Sequence, residues 1–150
     1  MRLIIQRVNS AEVTIEGALF SSIDKGLLLF LGIAEDDTTE DAEWLAAKVC
    51  SMRIFSDDEG KMNLDIHQIN GALLIVSQFT LFASTKKGNR PSFIKAANPA
   101  IAVPLYEFFI QKCTSLTGKN PSTGKFGADM QISLTNDGPV TIIIDSKNKE

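Results

Sequence analysis

GLLLFLGI, residues 26–33, is the stretch on which the fold turns. Leu27, Leu28, Leu29, Phe30 and Leu31 follow one another without a polar position between them. A strand with one wet face alternates, and this run does not, so it predicts a strand buried on both faces. A second run, ALLIV at 72–76, leads into Ser77-Gln78-Phe79-Thr80-Leu81, and residues 71–79 are predicted as another strand.

Around these runs the chain reads as a mixture of strands and helices. Ala42, Leu45, Ala46, Val49 and Met52 fall on one helical face, and Thr38-x-x-Asp41 is a capping signal, which predicts a helix over 38–55. A second helix is expected from about Asn98-Pro99, with Leu105, Phe108, Phe109, Cys113 and Leu116 inward and Gly118 as its stop. Pro104 leaves its start uncertain. Residues 3–8 and 11–16, separated by Asn9-Ser10, suggest a hairpin or two paired strands. Residues 129–134 and 140–145 are predicted as the last two strands, divided by TNDGP. About seven strands against two main helices make a single, strand-rich, mixed α/β domain over residues 1–150.

A length of 150 residues and a 44% hydrophobic content suit one soluble domain with a real core. Only three apolar residues stand between Arg2 and Gln6, so no export signal is expected. The longest apolar stretch, 26–34, is too short to span a membrane. Cys50 and Cys113 therefore read as reduced cytosolic thiols, and neither has metal-site spacing. The net charge of −3 argues against a nucleic-acid partner until its distribution is considered. Residues 66–106 contain no Asp or Glu but hold Lys86, Lys87, Arg90 and Lys95, a local basic field.

Two formal motifs fail. Between Gly118 and Gly124 stand five residues, and Phe126 follows Lys125, so TGKNPSTGKFG is not a nucleoside-triphosphate loop. The single histidine, His67, lies in a polar loop with no G-x-S-x-G elbow in the chain, which disfavours a Ser-His-Asp hydrolase. The acids of SDDEG at 56–60 lack calcium-loop spacing. Three segments are left. In SQFTL, alternation would place Gln78 and Thr80 on one face, at a strand end where backbone donors come free. KKGNRPSF, residues 86–93, adds Lys86, Lys87 and Arg90 for phosphate and Phe93 for base stacking. In NDGPVT, residues 136–141, a cis Gly138-Pro139 bond is affordable, and glycine leaves room for close approach.

SQFTL, KGNRPSF, TGKFGADM and NDGPVT, in that order, closely resemble the D-aminoacyl-tRNA deacylases, as do Gln6-Arg7-Val8, residues 53–66 and the final VTIIIDS. Phe82 and Ser84 depart from the tyrosine and the acidic residue expected there. The resemblance implies a barrel-like, homodimeric α/β fold that hydrolyses the ester joining a D-amino acid to the 3′ end of tRNA. Mischarged glycyl-tRNA is a further implied substrate. It implies a cis Gly138-Pro139 pair entering the partner's active site, with Arg7 holding it, and a cytoplasmic enzyme without metal or cofactor. Ser77, Gln78, Phe79 and Thr80 are the expected catalytic set. Thr80 as a nucleophile would need a base that the chain does not offer nearby, so backbone donors and the terminal 2′-OH are the favoured means. Phe126 and Met130 are expected to pack on the terminal adenine. A non-catalytic RNA-binding module and a conventional Ser or Thr hydrolase stand as the alternatives.

Overall fold

In the computed structural model, which describes residues 1–149, the strand β3 (Gly26–Gly32) lies mid-sheet and is covered on both faces by different bodies. Leu27, Leu29 and Leu31 face a core shared with the two helices. Leu28 faces the other way, into a second core with Val8, Val13, Leu74 and Val76. Leu27, Leu28 and Leu29 are each fully buried, and each contributes about 1.5–3 kcal/mol of transfer free energy. The unbroken apolar run is thus the sequence signature of a strand with no wet side.

β3 pairs antiparallel with β1 (Arg2–Ile15) and parallel with β6 (Ala72–Ser77). A parallel pair needs a crossover, and α1 (Thr39–Ser51) lies within it. β2 (Ala18–Ile23) pairs with the far half of β1, while β8 (Gln131–Asp145) runs along the whole of β1's other edge. β7 (Ser122–Thr123) adds in parallel to β6. The hydroxyl of Ser21 donates to the Thr123 carbonyl at 2.7 Å and that of Ser122 to the Ser22 carbonyl at 3.2 Å. These bonds draw β2 toward β7, and the sheet becomes a nearly closed, barrel-like body.

Both ends of the chain differ from the sequence reading. Residues 3–8 and 11–16 are not two strands but one, and the same holds for 129–134 and 140–145. The polar interruptions lie opposite each other, since Gln6 pairs with Thr141, Val8 with Asn136 and Ser10 with Thr135. The ladder absorbs them as bulges and continues, bending both strands together. β2 has no sequence signature because Leu19 and Phe20 stay exposed.

The helices follow their punctuation more closely. The backbone N–H of Thr38 donates to Asp41 Oδ2 at 2.9 Å, and Lys147 Nζ reaches the same oxygen at 3.0 Å. α1 ends at Ser51 rather than at 55, because Phe55 enters β4 (Phe55–Ser56), which pairs with β5 (Met62–Leu64). α2 (Pro99–Thr117) is capped by Asn98, whose side chain accepts from the Ala100 N–H at 3.0 Å, and stopped by Gly118 at φ 69°. Pro104 sits inside it without ending it. Ala102 and Tyr106 take inward places, and Leu116 is exposed. Cys50 and Cys113 are both free and buried. No helix among the described residues is long and apolar enough to cross a membrane.

Two outcomes follow. A Cβ on Gly26 would stand 1.9 Å from the Ala72 carbonyl oxygen, which is backbone and cannot swing aside. Gly26→Ala should lower unfolding free energy by about 3 kcal/mol, read from the urea midpoint at unchanged slope. Burial alone would raise the Asp41 carboxyl, but bonds from Thr38, Ser146 and Lys147 outweigh it and hold the group well below the usual carboxylate range. The folded state then binds that proton less tightly than the unfolded one. Its stabilisation is present above the ordinary value of about 3.9 and fades as pH falls toward the lower folded value. Asp41→Asn should therefore be less stable at pH 7, with the deficit shrinking below about pH 4.

Candidate active site

The end of β6 builds the site. The Gln78 N–H donates to the Leu31 carbonyl at 2.8 Å and extends the parallel ladder by one rung. The chain then leaves the sheet in a 3₁₀ turn, Phe79–Phe82. That turn folds back over Gly32, where a Cβ would stand 2.9 Å from Leu81 Cβ and 3.1 Å from the Gln78 carbonyl oxygen. The strand therefore ends at Ser77, not at Phe79, and alternation does not place Gln78 beside Thr80. The turn does so instead: the Gln78 amide donates to the Thr80 hydroxyl. The N–H groups of Phe79 and Thr80 open the turn, so neither has an acceptor within it.

Ser77, Gln78 and Phe79 line a cleft of about 80 Å³, together with Leu31 and Ile33. Ala97, Ala102, Phe126 and Gly127 complete the lining. Phe126 is held edge-on against Tyr106, with ring centres 5.9 Å apart. The Tyr106 hydroxyl donates to the Ile75 carbonyl at 2.8 Å, and burial pushes its phenol up. Phe79 is 57% exposed at the rim and meets Phe93 edge-to-face at 5.2 Å. Met130 does not line this cleft, because its sulfur lies over Gly124.

None of the lining residues carries a titratable side chain. His67 is exposed in a separate turn, where its N–H donates to Asp65 Oδ1 at 3.0 Å. Among the described residues no cluster of three or more His, Cys, Asp or Glu side chains could hold a metal ion. Lys86, Lys87 and Arg90 are exposed on a loop closed by a backbone pair between Ser84 and Ser92, at 2.8 and 2.9 Å.

Gly138-Pro139 is a cis pair on the bulge of β8, and both residues are exposed. Arg7, only 8% exposed, holds that bulge from β1. Its Nε reaches the Asp137 carbonyl at 3.2 Å and the Asp137 carboxylate at 3.0 Å, while Nη1 donates to the Ile54 carbonyl at 2.6 Å. The Val140 N–H closes the bulge on the Asn136 side chain at 2.8 Å. Gly138 has φ +127°, and a Cβ there would stand 3.0 Å from Arg7 Nη2, so this position needs glycine. The bulge does not line this chain's own cleft. Tyr106, the ring against which Phe126 rests, was missed in the sequence. Tyr106 sits one turn past Ala102 on the inward face of α2, and that spacing was the available signal.

Solved structures share this architecture. One, described as a c-Myc DNA unwinding element binding protein, superposes with a TM-score of 0.90 at 36% identity, covering 97% of this chain and 98% of that one. Another, from a structural analysis of a probable eukaryotic D-amino acid tRNA deacylase, reaches 0.82 over 95% and 97% of the two chains; at 15% identity it shows the fold alone. Fold and cleft define a small mixed α/β domain whose cleft is lined by no titratable side chain. Residues 4–145 match the family model described as D-Tyr-tRNA(Tyr) deacylase. Curated relatives named D-aminoacyl-tRNA deacylase include those of Cytophaga hutchinsonii, 61% identical, and Bacteroides thetaiotaomicron, 57% identical, each covering the whole of both chains. The chain belongs to the D-Tyr-tRNA(Tyr) deacylase family, hydrolases acting on ester bonds, and the family carries D-aminoacyl-tRNA deacylation as its activity.

The anchoring of the bulge can be tested directly. Arg7→Ala leaves the buried Ile54 carbonyl without its donor and Asp137 without its cation. It should lower unfolding free energy by about 2–4 kcal/mol, measured by urea denaturation.

Proposed function

We propose that this chain removes D-amino acids from tRNA in the cytoplasm by water attack on the 3′ ester, without an acyl-enzyme. The observation that carries the mechanism is the cleft itself, whose polar lining groups are Ser77 and Gln78 and which no base enters. A covalent Thr80 would need its proton removed. Its hydroxyl instead accepts from Gln78, leaving its own O–H as a donor. The N–H groups of Phe79 and Thr80, with the Ser77 hydroxyl, form the donor set for the developing oxyanion. The terminal 2′-OH orients the water. Phe126 in the wall supplies an apolar surface for the terminal adenine, while Met130 would have to act from outside the cleft.

Chiral selection falls to Gly138-Pro139 of a second copy in a homodimer. The pair is exposed, pinned by Arg7, and absent from its own chain's cleft, so a role at the substrate requires it to act in trans. Its carbonyls would face the substrate Cα and admit hydrogen but not a side chain on the L side. Glycyl-tRNA, with hydrogen on both sides, passes the same wall. A nucleic-acid ligand also suits a fold shared with a relative described as a DNA unwinding element binding protein.

Incubation with D-Tyr-tRNA, L-Tyr-tRNA and Gly-tRNA tests this reading: D-Tyr and Gly are released and L-Tyr is retained. Salt-sensitive tRNA binding without release of D-Tyr would establish a binding module instead. Thr80→Ala should lose one hydrogen bond's worth of rate, roughly tenfold. Complete loss, or an acyl-enzyme trapped in the native protein, would restore Thr80 as nucleophile.

A further inference from the structure

We infer that a second cleft, at the other end of the Phe79–Phe82 turn, binds phosphodiester groups of the tRNA acceptor strand; this rests on the tRNA substrate proposed above. The cleft has a volume of about 460 Å³ and is lined by Arg2, Phe82, Ser84, Thr85, Lys86 and Lys95 among others. No carboxylate lines it. The turn that separates it from the candidate active site has four residues, and three 3₁₀ steps span only about 6 Å. A strand whose terminal nucleotide lies at Phe79 therefore has its preceding backbone beside Phe82.

Arg2 is preset for the task. Its Nε donates to Asp145 Oδ2 at 2.8 Å, its Nη1 to the Leu81 carbonyl at 2.9 Å, and its guanidinium lies 4.7 Å from the centre of the Phe82 ring. With two donors held by protein and one ring face beneath, the guanidinium is ordered before a ligand arrives, and Nη2 is the donor that remains for it. Lys86 and Lys95 complete the cation set. Among the described residues neither ammonium is committed to a carboxylate. The hydroxyls of Ser84 and Thr85 add neutral donors, and the Ser84–Ser92 backbone pair holds the loop that carries them.

The adjoining hollow sets a boundary. It shares Arg2, Phe82 and Lys95 but adds Glu35, Asp36, Asp37 and Asp145 along with Lys147 and the Met1 ammonium. Its charges balance, whereas the Ser84–Lys86 side has cations and no lining carboxylate, so the strand is drawn past the turn on that side. Lys87 and Arg90, which the sequence groups with Lys86, do not line the cleft.

The test compares the native protein with Lys86→Gln/Lys95→Gln on D-Tyr-tRNA and on D-tyrosyl-adenosine, an ester with no phosphate. The ratio of kcat/KM between the two substrates should fall roughly tenfold in the variant at about 0.1 M salt. The slope of log(kcat/KM) for the tRNA ester against log salt should weaken by about 1.4, the value for two single-strand phosphates. Lys87→Gln/Arg90→Gln should shift both readouts less. An unchanged ratio and slope, or equal shifts in the two variants, would replace a built site with a diffuse field. Competition by inorganic phosphate beyond that of chloride at equal ionic strength would assign the cleft to free phosphate and overturn the acceptor strand. Equilibrium binding of uncharged tRNA reports the same slope without chemistry. If the native protein cleaves neither ester, the deacylase reading fails, while an unaltered binding slope in the variant fails this inference alone.

Discussion

The Ala72 carbonyl occupies the space where a side chain on residue 26 would project, and the rest of the molecule is arranged around that contact. It fixes the parallel register of β3 against β6, from Gly26 opposite Ala72 to Leu31 opposite Ser77. With that register set, the Gln78 N–H lies on the Leu31 carbonyl and the next residue must leave the sheet. Gly32 then admits the turn from the other side. One pair of glycines at the ends of an apolar strand thus brings Ser77 and Gln78 to the cleft mouth. Little at the site is set by the site residues themselves.

Arg7 plays the corresponding part for the bulge of β8. A guanidinium this buried is tolerable only with its hydrogen bonds satisfied. Its acceptors come from two distant segments, the Ile54 carbonyl just past α1 and the Asp137 carbonyl and carboxylate. The helix layer, the first strand and the last strand therefore meet at one side chain. The exposed Gly138-Pro139 pair is thereby tied to the core beneath it.

Some of this was legible in the sequence. The doubly buried β3, the Thr38–Asp41 signal, the helix start at Asn98-Pro99 and Gly118 as stop all rest on local chemistry that tertiary contacts did not override. The continuity of β1 and β8 was not legible, because Asn9-Ser10 and TNDGP have the composition of turns. Only pairing across the two strands turns them into bulges. At the site, SQFTL stood out through its polar end, but Ala97 and Ala102 carry no chemical signature and are recruited by geometry. Arg2 went unremarked for the same reason: its partners Leu81, Phe82 and Asp145 are far away in the chain.

A cleft without an ionisable wall has a consequence for the proposed water attack, because such a wall offers no acid or base of its own. A hydrolase with a histidine carries its own titration, and its rate reports that imidazole. With a D-aminoacyl ester in the proposed site, the ionisable group nearest the bond would belong to the substrate, as its α-ammonium, whose ordinary value of about 7.7–8.0 lies close to neutrality. On the proposed mechanism the protein would supply shape and dipoles, and the charge state that matters would arrive with each aminoacylated tRNA.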